Sequence, residues 1–287
     1  MTSADKNRLK DKAFSYLGMA CTIFGLLMLV IFLGDILIKG ISTIDWDFLT
    51  NYSSSRPKRA GIFPAWTGTL WILGLTAIIS IPIGIAAGLY FEEYSKKGRL
   101  ANFLEINLAN LAGVPSIIYG LLGLQIFVRT LHFGTSILAG ACTLALLILP
   151  IIIVSTREAL KAVPDSIRQA SYGMGANTWQ TIWHQVLPAS AGGIVTGIIL
   201  AISRAIGETA PLIVIGASTF ITKIPDGPLS EFTVLPMQIY DWIGRPDDLG
   251  EFAKRAAAGI IILLFITFLL NGFAVYLRNR WQKKVKW

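Results

Sequence analysis

Long runs of apolar residues, separated by shorter polar stretches, dominate the chain. Six runs are long enough to cross a hydrocarbon core of about 30 Å, which takes roughly 20 helical residues. Backbone groups in lipid must be hydrogen-bonded within their own helix or in a closed barrel, and barrel strands show short alternating patterns, so these runs predict helices. The predicted spans are Leu17–Ile38, Ala65–Leu89, Leu108–Leu131, Thr135–Val154, Ala189–Gly216 and Ala256–Leu277. The start of the third span is open, because Glu105, Asn107 and Asn110 indicate an interfacial helix that leads into it.

Composition agrees with an all-α, polytopic membrane protein of six transmembrane helices. The 287 residues are 54% hydrophobic and 15% charged, whereas soluble domains carry about 25% charged residues. The net charge of +8 is compatible with nucleic-acid binding, but it also arises when cytoplasmic loops are enriched in Lys and Arg. With the amino terminus inside, fifteen of the 25 Lys and Arg residues fall inside, nine fall outside, and Arg204 lies within a span. We therefore predict both termini inside, membrane lipids as surroundings and no nucleic-acid partner.

The spans divide the chain into three regions. Residues 1–63 form an inner tail, the first span and an outer loop, residues 64–278 contain the other five spans, and residues 279–287 form a basic inner tail. Within the middle region lie a long inner connection, 155–188, and a long outer connection, 217–255. We interpret the outer connection as a gate and docking surface, although Tyr240 and Trp242 are equally consistent with interfacial aromatic residues.

Glycine and proline indicate how the spans pack and bend. Gly84 and Gly88, and likewise Gly193 and Gly197, are spaced one helical turn apart, which favours close approach of helices in lipid. Prolines within or at the ends of spans predict kinks or interruptions, which membranes tolerate where the break is buried or lines a cavity. These prolines are Pro82, Pro115, Pro150 and Pro211.

The inner connection has the pattern of a helix, a turn and a helix. Its first helix starts at Pro164 and Asp165, and its turn lies at Gly175. The second helix is predicted to end at Pro188. Such an element can dock into a groove of a soluble partner, or it can rest on lipid headgroups through Trp179 and Trp183. The pattern alone does not choose between these two interpretations.

The fifth span carries two charges, Arg204 and Glu208, in the stretch AISRAIGETAPL. Arg204 follows the start of the span by fifteen residues, about 22 Å along a helix, which places it near the middle of the bilayer. There an arginine costs roughly 2.5 to 3.5 kcal/mol on insertion scales. At spacing i,i+4 the two charges share a helical face and can form a buried pair. Alternatively, the guanidinium faces a water-filled path and binds an anion, with Thr209 as an extra donor.

Other kinds of site are not indicated. The chain has no GxxxxGK[ST] phosphate loop for ATP and no catalytic triad, carboxylate dyad or metal-ligand cluster. We therefore expect a non-enzymatic protein that binds neither a metal nor a cofactor itself. Cys21 and Cys142 lie within spans, where thiols usually act as small apolar side chains.

The inner connection resembles the EAA loop of ABC importer membrane subunits, which fits a cleft in a nucleotide-binding subunit. The family pattern is Glu-Ala-Ala, Gly after three residues, and Ile-x-Leu-Pro after a further nine. The matching residues here are Gln169, Ala170, Ser171, Gly175, Gln185, Leu187 and Pro188. The spacing holds throughout, while Gln169 replaces the glutamate and Gln185 replaces the aliphatic residue.

A wider resemblance covers residue 60 to the end of the sixth span. The motifs GIFPAWTGTLW, IPIGIAAGLYFEEY, GVPSIIYGLLGL, RAIGETAPL and VLPMQIYDWIGRP are similar to those of PstA-type permease subunits of phosphate-specific ABC importers. The resemblance implies the type I importer permease (MetI-like) architecture, in the bacterial cytoplasmic (inner) membrane. It also implies a PstC-type sister permease, a PstB-type ATPase dimer that uses ATP and Mg, and a PstS-type phosphate-binding protein. A phosphate-signalling regulator is a further implied partner.

The same resemblance assigns Arg204 and Glu208 to the translocation path of inorganic phosphate. Arg204 donates to the phosphate oxygens, while an ionised Glu208 accepts a hydrogen bond from the protonated oxygen. Two alternatives remain at this point. One is a permease for another oxyanion, such as sulfate, molybdate or phosphonate, and the other is a signalling or scaffold subunit without transport.

Overall fold

The computed structural model describes residues 3–95, 98–246 and 250–282, and every regular element in these ranges is helical. Among the residues counted for topology, Lys96, Lys97, Lys283, Lys284 and Lys286 lie outside the described ranges. The α-helices are α1 Ser3–Gly40, α2 Trp46–Thr50, α3 Phe63–Leu89, α4 Arg99–Ala112, α5 Ser116–Gly123, α6 Ile137–Lys161, α7 Asp165–Gly173, α8 Thr178–Thr181, α9 Leu187–Ile206, α10 Ala210–Ile215, α11 Leu235–Gly244 and α12 Glu251–Gln282.

Short segments of other helix types extend several of these elements. The π-helical segments are Tyr90–Tyr94 after α3, Leu124–Thr130 after α5 and Ile182–Val186 between α8 and α9, and the 3₁₀ segments are Ile41–Thr43 and Pro57–Arg59. Five helices of the described ranges are long and apolar enough to cross a membrane, and a bent pair makes six when its two segments are taken as one span. The predicted all-α, six-span fold is therefore confirmed.

The third span is preceded by a separate helix, as Glu105, Asn107 and Asn110 indicated, so the span starts later than Leu108. The helical segments Ile106–Ala112 and Ser116–Thr130 meet at an angle of 100°. The break lies at Pro115, whose ring and missing N–H prevent the helix from continuing. The amphipathic α4 therefore leads into a shorter span that begins at Ser116.

Helix α6 is the centre of the bundle, with α3 and α9 packed against it through glycines. Gly88 of α3 faces Thr156 of α6 at van der Waals range, and Gly197 of α9 faces Ser155 of α6. A β-carbon added at either glycine would overlap its neighbour, so these positions admit only glycine at this helix separation. The predicted packing role of Gly88 and Gly197 is confirmed.

The order of the contacts gives the helix directions. From Gly84 to Gly88 of α3, the contacted residues of α6 also increase in residue number, so α3 and α6 are parallel. Gly193 and Gly197 of α9 meet Ala159 and then Ser155, so α9 runs the opposite way. Gly40 at the end of α1 contacts the start of α12, which places these two helices antiparallel.

The outer connection has its own core. Helix α11 lies within it and packs against α12 and α3. Trp242 is 1% exposed and lies 6.0 Å from the ring of Phe48. Trp242 is therefore neither an interfacial residue nor an exposed docking residue, whereas Tyr240 is exposed. The buried contact between Trp242 and Phe48 holds α11 against α2.

Candidate functional site

Arg204 lies near the middle of the membrane-spanning helices. It follows Gly197 by seven residues, about 10 Å along the axis, and Gly197 faces Ser155 of the antiparallel α6. This places Arg204 level with Ile148, close to the centre of the 25-residue helix α6. The packing therefore agrees with the mid-span depth expected from the sequence.

A break in the fifth span lies between Arg204 and Glu208. Helix α9 ends at Ile206 and α10 begins at Ala210, which confirms the interruption predicted at Pro211, but Arg204 and Glu208 do not share one helical face as predicted. The two charges meet across the helix end instead, with Arg204 Nε 3.5 Å from Glu208 Oε1. Gly207 allows the chain to leave the helix, and Pro211 favours a new helix start because its missing N–H is not needed in a first turn.

Thr209 is the N-cap residue that precedes the restarted helix. Its carbonyl oxygen accepts hydrogen bonds from the backbone N–H groups of Leu212 (3.1 Å) and Ile213 (3.0 Å). Its hydroxyl makes no capping bond. The three predicted site residues thus lie at one interruption of a span. In membranes such interruptions persist where the backbone is buried in protein or lines a cavity.

The second broken span meets the first at this point. Gly120 of α5 packs against Pro211 of α10, and the neighbouring Tyr119 lies within electrostatic range of Arg204. The Tyr119 hydroxyl donates to the carbonyl of Leu111, 2.8 Å away, and so braces the bend between α4 and α5. Sequence reasoning missed Tyr119, because Pro115 indicated a break but not what the break would contact.

The Arg204 side chain retains donors for an additional acceptor. Its side chain is 41% exposed, whereas that of Glu208 is 18% exposed. Within the described ranges, Glu208 is the residue to which this guanidinium hydrogen-bonds, through Nε alone. The terminal N–H groups form a planar fork that matches the oxygens of a phosphate or carboxylate group. The arrangement can therefore bind a small oxyanion from the exposed side.

An apolar cavity lies elsewhere, between α3 and α9. It has a volume of about 780 Å³, and the described residues that line it are apolar or aromatic, including Ile81, Ile85, Trp179, Trp183 and Ile198. Such a lining disfavours an unpaired anion, because burying a charge without polar partners is costly. The anion site is therefore better placed at Arg204 than in this apolar cavity.

The inner connection folds as a helix, a turn and a helix, as predicted. Gly175 forms the turn with φ +85°, a left-handed conformation that glycine adopts without steric cost. Asn177 and Gln180 then form a capping box that starts the second helix. The predicted end of this helix at Pro188 is wrong, since the helical segment continues from Thr178 to Ile206. The π-helical turn before Pro188 accommodates the missing N–H.

The predicted contact residues of this connection lie largely at the surface. Gln169, Ala170, Gly175 and Pro188 are exposed, while Ser171 and Leu187 are half-buried. The Ser171 hydroxyl lies 2.8 Å from that of Thr181 and ties the two helices together. The turn also presents apolar surface, with Met174 89% exposed. The connection thus presents a rigid, exposed turn suited to docking.

A buried ion pair, which sequence reasoning missed, fixes the base of the inner connection. Arg168 Nη2 lies 2.7 Å from Glu93 Oε1, with side chains 15% and 7% exposed. The hydrogen bond to Glu93 raises the pKa of the Arg168 guanidinium above its ordinary value, although burial opposes this. Both residues lie in charged stretches beside spans, but they are 75 positions apart. No local pattern indicates their contact.

Comparisons with known proteins agree with this architecture. The chain is 36% identical over 271 residues to the phosphate transport system permease protein PstA of Yersinia pestis, covering 93% of this chain and 89% of that protein. It is 33% identical over 265 residues to the PstA protein of Haemophilus influenzae, covering 92% of each. A solved bacterial alginate ABC transporter, in complex with an alginate-bound periplasmic protein, contains a chain of similar fold, with TM-score 0.69, 15% identity and 96% of both chains covered.

The fold is that of the ABC importer permeases of the type I, MetI-like architecture. Residues 80–283 match the family model described as binding-protein-dependent transport system inner membrane component. This match includes the inner connection, the broken fifth span and Arg204. The chain therefore belongs to the family of binding-protein-dependent transport system inner membrane components, as a permease subunit.

Proposed function

We propose that this chain is the membrane permease subunit of an ATP-driven importer of inorganic phosphate. The observation that carries the proposal is the exposed guanidinium of Arg204, held at mid-span beside the break in the fifth helix. Relatives that align with nearly the whole chain are named as phosphate transport permeases. An arginine at this depth is costly in lipid. A water-filled path that carries an anionic substrate explains why the charge is present there.

The residues at the break suit phosphate near neutral pH, which is a mixture of the mono- and dianion. The terminal N–H groups of Arg204 donate to phosphate oxygens, and the Thr209 hydroxyl supplies a further donor. Glu208 accepts a hydrogen bond from a protonated phosphate oxygen. A fully deprotonated anion such as sulfate offers no such donor and is repelled by the carboxylate. Glu208 therefore favours phosphate over sulfate at the same site.

Energy for import comes from a partner ATPase in this proposal. The inner connection docks into that subunit through Gln169, Ala170, Ser171 and Gly175, and Leu187 and Pro188 join it to the fifth span. The exposed turn and its apolar Met174 favour a protein groove over a purely structural loop. The ATPase binds and hydrolyses ATP with Mg, while this chain supplies the translocation path.

We infer an assembly in the bacterial cytoplasmic membrane with both termini cytoplasmic. A PstC-type sister permease, a PstB-type ATPase dimer and a PstS-type binding protein complete it, with a phosphate-signalling regulator as a further partner. Residues 64–278 are the permease core. The antiparallel packing of α1 and α12 supports placing both termini on one side. The excess of Lys and Arg on that side supports its being the cytoplasm.

Uptake by the reconstituted complex tests the proposal. The native assembly is purified with its partners, placed in liposomes containing ATP, and supplied with radiolabelled phosphate and the binding protein. We expect ATP-dependent phosphate accumulation that excess unlabelled phosphate suppresses and excess sulfate, molybdate or phosphonate does not. Stronger competition by another oxyanion would assign that substrate instead. Absence of uptake and of substrate-stimulated ATP hydrolysis, from an intact complex, would favour the signalling or scaffold role.

A further inference from the structure

The base of the inner connection is held by one guanidinium that reaches three helical elements. Arg168 lies on α7, and its Nη2 and Nε atoms donate to the carboxylate of Glu93 at 2.7 and 3.4 Å. Glu93 belongs to the π-helical turn at the end of α3. Because two N–H groups of the planar guanidinium bind one planar carboxylate, the contact fixes the relative orientation of the two side chains as well as their distance.

The same guanidinium also binds the end of α6. Arg168 Nη1 donates to the carbonyl of Val163 (2.7 Å), and Nη2 donates to that of Leu160 (3.0 Å). Val163 lies just after the end of α6, and the Leu160 carbonyl also accepts from the backbone N–H of Val163 at 3.1 Å, so the guanidinium adds a second donor to the turn that closes α6. The ends of α3 and α6 and the start of α7 are therefore joined at a single side chain.

Apolar packing makes this junction stiff. Leu160, Val163 and Val186 form a buried cluster, against which Leu89 of α3 and Ile167 of α7 pack. A second ion pair crosses the same junction, with Arg157 Nε 3.7 Å from Glu92 Oε2. A displaced α7 therefore cannot separate from α3 or α6 without breaking buried charge contacts and this cluster together.

An exposed ion pair in the same region provides a contrast. Lys161 and Glu158 are 3.0 Å apart, but their side chains are 42% and 64% exposed. Exposed pairs contribute little because water competes for both charges. Breaking a buried pair by removing one partner is far more disruptive, since the remaining charge stays desolvated. Comparing variants of the two pairs therefore distinguishes a role in holding the helices together from the effect of losing a surface charge.

We propose that Arg168 and Glu93 are positioning residues that transmit movement of the inner connection to α3 and α6. The proposal rests on the proposed function, in which an ATPase moves this connection. The exposed part of α7 receives the displacement, and the Arg168–Glu93 pair carries it to the spans that flank Arg204. Without the pair, the displacement is absorbed by rotation at the Pro164 end of α7, and the ATPase works without moving the path.

The test measures phosphate transported per ATP hydrolysed by the complete reconstituted transporter. The variants are Glu93→Gln, Arg168→Gln and the two combined, with Lys161→Gln as the matched control in the exposed pair. A single variant leaves one buried charge without a partner and can fail to fold for that reason alone. The combined variant removes both charges, so it tests the proposal even in that case. We expect this ratio to fall about tenfold in the combined variant, within the usual range of coupling between sites, while basal ATP hydrolysis and Lys161→Gln remain near wild type.

Hydrogen exchange of α7 gives a second readout that does not depend on the substrate. We expect exchange at 165–173 to rise in the combined variant and to stay unchanged in Lys161→Gln. The two proposals can fail separately. If the wild-type complex transports no phosphate, the phosphate assignment fails. The role of the pair still stands if the combined variant loosens α7 and uncouples ATP hydrolysis from stimulation by the binding protein. A wild-type transport ratio in the combined variant, or an equal loss of transport and basal ATP hydrolysis, would overturn the proposal.

Discussion

Replacing Arg204 with glutamine removes the positive charge from the break in the fifth span while keeping a side chain of similar length. The Arg204 side chain is 41% exposed, and its contact with Glu208 is 3.5 Å long. Its loss therefore breaks a single long contact, and it leaves Glu208 without its positive partner. The variant also removes from mid-span a charge that costs about 2.5 to 3.5 kcal/mol on insertion scales, so insertion does not become less favourable. A loss of transport in this variant would not reflect poor insertion.

The effect on transport follows from the hydrogen bonds lost to the substrate. A bond to a charged group contributes about 1.5 to 3 kcal/mol, and partial exposure favours the lower value. Two such bonds give about 3 kcal/mol, or roughly a hundredfold in kcat/KM at about 1.4 kcal/mol per tenfold. Arg204→Lys keeps the charge but loses the planar fork, so we expect an intermediate loss.

The assay is initial phosphate uptake in membrane vesicles, normalised to the amount of inserted complex. The double variant Arg204→Gln with Glu208→Gln separates the two explanations for the pair. If Arg204 serves only to neutralise Glu208, removing both charges restores uptake; if Arg204 binds the anion, uptake stays low. Near-normal uptake by the double variant would refute the assignment of Arg204 to the substrate path.

Three further outcomes are expected. Glu208→Gln should weaken discrimination against sulfate, because a neutral amide no longer repels a fully deprotonated anion; sulfate inhibition of phosphate uptake measures this, and unchanged inhibition would contradict it. Gly197→Val should destabilise the protein by about 1 to 3 kcal/mol, since its side chain would overlap α6, whereas Gly272→Val meets open space; melting temperature in detergent compares them, and equal melting of both variants would argue against tight α6–α9 packing. Gly175→Ala should cost about 1 to 2 kcal/mol at φ +85° and reduce copurification of the ATPase, while Gly173→Ala, with no neighbour within 4 Å, should not; full recovery of the ATPase with Gly175→Ala would exclude a docking role for this turn.

Local pattern was sufficient for the spans and for the inner connection. Apolar run length determines membrane crossing, because the hydrocarbon thickness fixes the number of residues needed. The turn at Gly175 and the packing at Gly197 were likewise indicated by residue type and spacing. Family resemblance added the substrate and partners, which no hydropathy pattern contains.

Other features depended on contacts that a linear pattern does not encode. Gly207 and Pro211 are compatible with either a kinked or a broken helix, and packing of α10 against Gly120 selects the break. Trp242 was predicted to belong either to a docking surface or to a membrane interface, and its contact with Phe48 places it in a core instead.

The sequence by itself determined an all-helical membrane chain with an arginine at mid-span, since both follow from apolar length and residue position along a helix. Only the tertiary structure decided that Arg204 lies at the meeting of two broken spans and that Arg168 reaches Glu93. These arrangements require residues far apart in the chain to come within a few ångströms, and the energy that selects them is packing and charge burial between helices.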